Sequence, residues 1–125
     1  MVWILRAFIG VLKVDLVFNG FPVFLHYPPY KYKDSLMNIL VVGSGGREHA
    51  IALAVKKSPL CDNLVCAPGN PGMANLGKCV PVDVADPKAI ADLAVAEKID
   101  LAIIGPEIPL VAGVVDEFRR RGLRA

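Results

Sequence analysis

The chain has 125 residues, which is enough for one small domain with one hydrophobic core. Apolar residues make up 54% of the sequence and charged residues 21%, a balance that excludes a disordered protein. The formal net charge of +2 is too small to indicate a nucleic-acid-binding protein or a protein that binds anionic membranes.

Residues 1–36 differ in character from the rest of the chain. They contain eight of the nine aromatic residues and carry all of the net charge. They show neither the alternation of a strand nor the apolar stripe of a helix. Prolines interrupt their longest uncharged run, whereas a membrane helix needs about 20 mostly apolar residues. We predict that residues 1–36 are a non-native, disordered extension, with a targeting segment as the alternative, and that the domain spans residues 37–125.

A strand and a helix open this domain. Asn38–Val42 is a short run of mostly branched apolar residues that ends at a glycine, which predicts a buried parallel strand. Arg47–Lys57 follows as a predicted helix, and we expect Ala50, Leu53 and Ala54 to line its apolar face.

Three more strands are predicted further along the chain. Asn63–Ala67 and Asp100–Gly105 have the composition of buried strands. Cys79–Val82 is weaker, and we place it at a sheet edge because Pro81 cannot donate a ladder hydrogen bond. The glycine- and proline-rich segment Pro68–Gly77 is predicted to be a long loop.

Two more helices alternate with these strands. One is capped by Asp86, with Pro87 at its first position, and the other begins at Pro109 and ends at Gly122. The second helix ends with Arg119–Arg121, which we interpret as a solvated helix end and not as a phosphate site. The predicted buried stripes are Ile90, Leu93 and Ala94 in the first helix and Val111, Val114, Val115 and Phe118 in the second. Alternating strands and helices predict an α/β fold, an open parallel sheet with flanking helices.

The three cysteines, Cys61, Cys66 and Cys79, show no CxxC spacing. An odd number of cysteines without that spacing argues against a disulfide framework and against a zinc site. We therefore expect reduced thiols in a cytoplasmic protein, with Cys66 and Cys79 buried in strands.

Three loops follow strands of this sheet: Gly43–Glu48, Pro68–Gly72 and Gly105–Pro109. Ligands of open α/β sheets bind beyond the carboxyl ends of the strands, so we expect the three loops to converge on one crevice. The glycines of the first loop remove β-carbons where a ligand approaches, and the free amides of the next helix can bind phosphate. Close packing of the helix on the strand is the alternative explanation for the same glycines.

A dinucleotide site fits these loops poorly. The GxGxxG pattern would need glycine where Glu48 stands, and the second strand does not end in the acid that binds a ribose. Glu107, directly after a buried strand, could accept hydrogen bonds from sugar hydroxyls or serve as a charge at a helix start. His49 is interpreted as a structural, partly buried histidine and not as a general base.

Three motifs together identify a family. They read NILVVGSGGREHA at Asn38–Ala50, APGNPG at Ala67–Gly72 and GPEIPLVAG at Gly105–Gly113. Their order and spacing resemble the start of phosphoribosylamine–glycine ligases. The resemblance runs from residue 37 to residue 125, and residues 1–36 have no counterpart in the family.

This resemblance implies a Rossmann-like pre-ATP-grasp domain, truncated before the ATP-grasp part of the ligase. In this family ATP phosphorylates the carboxylate of glycine, and the amine of phosphoribosylamine attacks the acyl phosphate to form glycinamide ribonucleotide in purine biosynthesis. The implied partners are phosphoribosylamine and glycine, with no nucleic acid and no membrane, in a cytoplasmic protein. The sequence leaves the oligomeric state open, and we expect a monomer. ATP and Mg²⁺ (or Mn²⁺) would bind outside this fragment, which would hold no catalytic or metal-binding residue and would be inactive alone.

The resemblance also implies substrate-binding residues, all of them in the three loops. The backbone amides of Gly45, Gly46 and Arg47 would bind the phosphoribosyl group, Glu107 would bind ribose hydroxyls, and Asn70 and Gly72 would shape the wall. Two other classes stay open: a stand-alone nucleotide or sugar-phosphate binding module, and a fragment of an NAD-dependent oxidoreductase.

Overall fold

A computed structural model describes residues 15–18, 21–24 and 36–125 of the chain. Asp15–Phe18 (β1) and Phe21–Phe24 (β2) pair as two short antiparallel strands and belong to a unit of their own. Most of residues 1–36 lies outside the described residues, so a disordered extension there stays a prediction.

Residues 36–125 are built on a four-stranded sheet in which every pairing is parallel. The order of the strands across the sheet is β5-β4-β3-β6. The strands are Met37–Gly43 (β3), Cys61–Pro68 (β4), Lys78–Cys79 (β5) and Leu101–Ile104 (β6). This confirms the predicted open parallel sheet. Its edge strand is shorter than the predicted Cys79–Val82 and ends before Pro81.

Four helices connect and flank these strands. They are Gly46–Lys56 (α1), Pro87–Ala96 (α2), Glu107–Val111 (α3) and Val114–Arg120 (α4), and a 3₁₀ turn, Met73–Asn75, lies in the loop after β4. The predicted cap of α2 is confirmed, because the carboxylate of Asp86 accepts hydrogen bonds from the amides of Lys88 and Ala89 at 2.9 and 3.0 Å. No helix in the described part of the chain is long and apolar enough to cross a membrane.

The sheet is buried on both faces. Leu40 and Val42 of β3 pack with α2 and α4, where Phe118 is the largest fully buried side chain. Val41, between them in sequence, packs on the other face with Ala52 of α1. Successive strand residues point to opposite faces, so two covered faces require the continuous apolar run that the sequence shows.

The predicted apolar face of α1 was wrong. Ala50, Leu53 and Ala54 are exposed, and the helix instead turns Glu48 and Ala52 toward the sheet. The burial of a carboxylate in the first turn fixes the rotation of the helix, and residues three to four positions later then follow on the same face.

A second prediction also needs correction. The single helix predicted to begin at Pro109 is two helices, α3 and α4. Gly113 lies between them with φ +92°, a left-handed conformation that interrupts the helix before α4 begins at Val114. Val111 is therefore 89% exposed, against the prediction, whereas Val114 and Phe118 are buried as predicted.

The arginines at the end of α4 pair with acidic side chains. Hydrogen bonds from Arg120 and Arg121 lower the pKa of Glu117 to about 2. Arg119 and Arg120 are largely exposed, which confirms a solvated helix end, while Arg121 also bonds Asp92 at 2.5 Å and so links α4 to α2. The backbone then runs beside β6, where the Ala102 amide donates to the Arg124 carbonyl at 2.9 Å.

The three cysteines are free thiols. Cys66 is buried, as predicted, but its neighbour on the next strand, Cys79, is only half-buried because β5 is an edge strand. Burial, together with the nearby Cys79 thiol, raises the pKa of Cys66 to about 11, so this thiol stays protonated at neutral pH.

Candidate functional site

The carboxyl ends of β3 and β6 form the switch point of the sheet. From β3 the chain proceeds to β4 and β5 on one side, and then returns to place β6 on the other side. In open α/β sheets a crevice opens at such a point, because the loops on its two sides leave in different directions.

Hydrogen bonds join the three predicted loops at this edge. The Gly69 amide donates to the Gly43 carbonyl at 3.1 Å, and the side-chain amide of Asn70 donates to the Ser44 carbonyl at 3.0 Å. On the other side the guanidinium of Arg47 donates to the Gly105 carbonyl. The predicted convergence of the three loops is confirmed.

Glu48 is the buried charge beneath these loops, with 5% of its surface exposed. One carboxylate oxygen accepts a hydrogen bond from the Gly45 amide at 2.9 Å, and the other accepts one from Nε of Arg47 at 3.1 Å. Burial raises the pKa of Glu48, but the hydrogen bonds from Arg47 and the Gly45 amide outweigh it, and the pKa lies below its ordinary value. Glu48 is therefore a carboxylate at neutral pH.

Three glycines make room for this carboxylate. A β-carbon at Gly43 would lie 2.9 Å from Cδ of Glu48, and one at Gly105 would lie 2.7 Å from the same atom. At Gly45 it would lie 2.7 Å from Oε2. Packing against a buried side chain is sufficient to explain why these positions lack a side chain.

Gly46 differs from these three glycines. A β-carbon there would meet no atom within 4 Å, so the residue opens onto free space at the first position of α1. The amides of Gly46 and Arg47 belong to the first turn of the helix, where the backbone donors have no intrahelical acceptor. The Gly45 amide, in contrast, is already bonded to Glu48.

The loop after β4 supplies a wall beside this helix start. Both polar atoms of the Asn70 side chain are engaged, since its oxygen also accepts from the Met73 amide at 2.9 Å. A β-carbon at Gly72 would lie 2.9 Å from Nδ1 of His49, so the imidazole packs against this glycine. The interpretation of His49 as partly buried is confirmed.

Glu107 lies on the far side of the switch point, as the exposed first residue of α3. Buried Pro109 holds this short helix against the domain. The position satisfies both sequence interpretations, since the carboxylate stands at a helix start and also beside the crevice.

Sequence reasoning missed the role of Glu48. We considered position 48 only as the place where a dinucleotide motif needs glycine. The spacing of Gly45 and Glu48 was the available signal, because an acid three residues after an N-cap completes a capping box by bonding the cap amide.

A cavity lies at the other end of the sheet. It has a volume of about 410 Å³ and is lined by residues where β4 and β5 begin and where α1 and α2 end. Its Lys78 and Glu97 already pair at 2.6 Å. Among the described residues no three metal-ligating side chains gather, and the absence of a metal site from the whole chain stays a prediction.

Comparison with known proteins decides the family. Residues 37–125 match the family model described as phosphoribosylglycinamide synthetase, N domain. The chain belongs to this family. The match contains every loop of the candidate site.

Curated relatives carry the name phosphoribosylamine–glycine ligase. The chain is 48% identical to the protein of Caldanaerobacter subterraneus over 88 residues, which are 70% of this chain and 21% of that protein. It is 53% identical over 89 residues to the protein of Pseudomonas aeruginosa (70% and 20%) and 51% identical over 90 residues to that of Escherichia coli (70% and 21%). The chain thus spans about a fifth of the length of the relatives it matches.

Proposed function

We propose that this chain is the amino-terminal, substrate-binding part of the ligase that joins glycine to phosphoribosylamine with ATP hydrolysis. The product would be glycinamide ribonucleotide, formed in the cytoplasm during purine biosynthesis. One observation carries the proposal: the three family loops meet at the switch point of the sheet around an open helix start.

The crevice offers suitable groups for a phosphoribosyl ligand. The first amides of α1 point out of a helix start, which favours an anionic phosphate through both hydrogen bonds and the helix dipole. Gly46 leaves this approach free of side chains. Exposed Glu107 stands across the switch point, where a carboxylate can accept hydrogen bonds from ribose hydroxyls.

The remaining chemistry is proposed to belong to the larger part of the ligase. ATP and Mg²⁺ or Mn²⁺ would bind there, in an ATP-grasp region, and ATP would activate the glycine carboxylate for attack by the phosphoribosylamine nitrogen. The present chain would contribute by binding and orienting phosphoribosylamine, since positioning a nucleophile accelerates its reaction. Alone it would release no phosphate from ATP.

An NAD-dependent oxidoreductase is the weaker alternative. In that class a third glycine lets the helix pack close to the strand beneath the pyrophosphate. Here Glu48 stands at that position, and its carboxylate fills the space between Gly45 and Gly105. A stand-alone sugar-phosphate module is the other alternative, and it would use the same crevice. However, the relatives described above are named as ligases and are about five times as long as the segment they share with this chain.

Substitution of Glu107 tests the proposal. We expect Glu107→Gln to lower kcat/KM for phosphoribosylamine by roughly 10- to 150-fold, because a hydrogen bond to a charged group contributes about 1.5–3 kcal/mol. The assay requires a hybrid ligase in which residues 37–125 replace the matching segment of the Escherichia coli relative. Steady-state kinetics with each substrate varied in turn should show little change in KM for ATP or glycine.

Asp116→Asn is the matched control. Asp116 is also an acid in the first turn of a helix, with a side chain that is 85% exposed, but it belongs to α4. Its substitution should leave the kinetics of all three substrates unchanged. Equal responses of the Glu107 and Asp116 variants to phosphoribosylamine would reduce Glu107 to a charge that only stabilises a helix start.

A further inference from the structure

Arg47 and Glu48 are adjacent in sequence but opposite in exposure. The side chain of Arg47 is 67% exposed and that of Glu48 only 6%. They meet through the bond from Nε to Oε1 at 3.1 Å. An exposed cation at the mouth of the crevice is thus attached to a buried anion below it.

Glu48 cannot easily move away from this position. Its second oxygen is bonded to the Gly45 amide at 2.9 Å, and the backbone at Gly43 and Gly105 encloses the rest of the side chain. A side chain held by packing and by two hydrogen bonds loses little further entropy when it orients a neighbour.

Arg47 is held from two sides. Besides the bond to Glu48, its guanidinium donates to the Gly105 carbonyl, so it bridges the loop after β3 and the loop after β6. These contacts use two of the five N–H donors of a guanidinium, which leaves three for a ligand.

We propose that the Arg47 guanidinium is the charged phosphate-binding group of this crevice and that Glu48 is its positioning residue. The inference rests on the proposed function and specifies how its phosphoribosyl group is held. A planar guanidinium binds phosphate oxygens through two parallel hydrogen bonds, which requires a fixed orientation. Glu48 and the Gly105 carbonyl supply that orientation before the ligand arrives.

Charge and geometry make opposite predictions for Glu48. If only the net charge of the crevice mattered, removal of the carboxylate would strengthen the binding of a phosphate. If Glu48 positions Arg47, its replacement by the neutral isostere glutamine weakens binding, because the guanidinium exchanges a charged acceptor for a weaker neutral one and is held less firmly.

The test is a titration of the 125-residue chain with ribose 5-phosphate, in which NMR chemical shifts of the backbone amides report binding. We expect Glu48→Gln and Arg47→Lys each to raise Kd by about tenfold or more. Arg47→Lys keeps the charge but cannot bond Glu48 and the Gly105 carbonyl with one planar group. The double variant should bind no more weakly than the single variants, since both remove the same oriented contact.

Arg120→Lys is the matched control, because Arg120 is similarly exposed and paired with Glu117 at 2.7 Å at the end of α4. It should leave Kd unchanged. If the Glu48→Gln variant does not fold, the Kd of the Arg47→Lys variant decides the test, since the exposed side chain of Arg47 can be changed without disturbing the core. If the unaltered chain binds ribose 5-phosphate and the folded variants bind it equally well or more tightly, the proposed role of Arg47 and Glu48 is wrong. No binding by the unaltered chain would instead count against the proposed function.

Discussion

Replacement of Gly43 by alanine is expected to destabilise the domain by about 3 kcal/mol or more. Gly43 has φ +129°, a conformation that costs a residue with a β-carbon of order 1–3 kcal/mol. The new methyl group would also press on the enclosed side chain of Glu48, and overpacking costs a further 1–3 kcal/mol or so. The free energy of unfolding in urea measures the loss.

Gly46→Ala is the matched control for this substitution. A β-carbon at Gly46 meets nothing within 4 Å, and alanine suits the first turn of a helix. We expect a change within about 0.5 kcal/mol, or a small gain. Glu48→Ala in the Gly43→Ala background should recover the overpacking part of the loss. A Gly43→Ala variant as stable as Gly46→Ala would refute the account of Glu48 as the side chain these glycines accommodate.

Phe118→Ala should destabilise the domain by about 3–5 kcal/mol, the usual cost of deleting a large buried aromatic side chain. Phe118 is 1% exposed and belongs to the core cluster that joins α4 and α2 to the sheet through Leu40 and Ile90. Thermal or urea unfolding of the whole chain measures the effect. Loss of this side chain leaves a cavity behind β3, the strand that leads into the glycine turn.

Val111→Ala is the control for the Phe118 substitution. The helix predicted from Pro109 placed both residues on one buried stripe, but the structure leaves Val111 89% exposed. Its replacement should change the free energy of unfolding by less than about 0.5 kcal/mol. A loss at Val111 comparable with that at Phe118 would restore the single continuous helix and contradict the break at Gly113.

The sequence was sufficient to predict the parallel sheet and the edge at which the three loops meet. Asn38–Val42 and Asp100–Gly105 are apolar on both faces, which is the pattern of a parallel strand covered by helices. Because the carboxyl ends of parallel strands share one edge, the loops after them had to meet. Neither inference required knowledge of which side chains touch.

The rotation of α1 and the break at Gly113 could not be predicted in the same way. Periodicity assigned Leu53 to the buried face, but Glu48 sets the rotation through bonds to the Gly45 amide and to Arg47. A glycine inside a helical pattern is tolerated in many helices, so its sequence position alone did not predict the left-handed φ. In both cases one local contact or torsion outweighed the average pattern.

The candidate site was predicted only in part. Gly46, Asn70 and Glu107 lie at the crevice, as predicted from the sequence. The amide of Gly45 is instead bonded to Glu48, a residue that was not predicted to belong to the site. A buried carboxylate is hard to foresee, because glutamate is rarely buried unless its charge is compensated. The ligand roles of all these residues remain proposals.

Turnover by the hybrid ligase tests the central claim most directly. The hybrid carries residues 37–125 of this chain in place of the matching segment of the Escherichia coli relative, with which the chain shares 51% identity over 90 residues. We predict that ADP release requires both glycine and phosphoribosylamine and proceeds within about tenfold of the parent rate, a difference of about 1.4 kcal/mol in barrier. A folded hybrid that binds ATP and glycine but shows no turnover dependent on phosphoribosylamine would contradict the assignment.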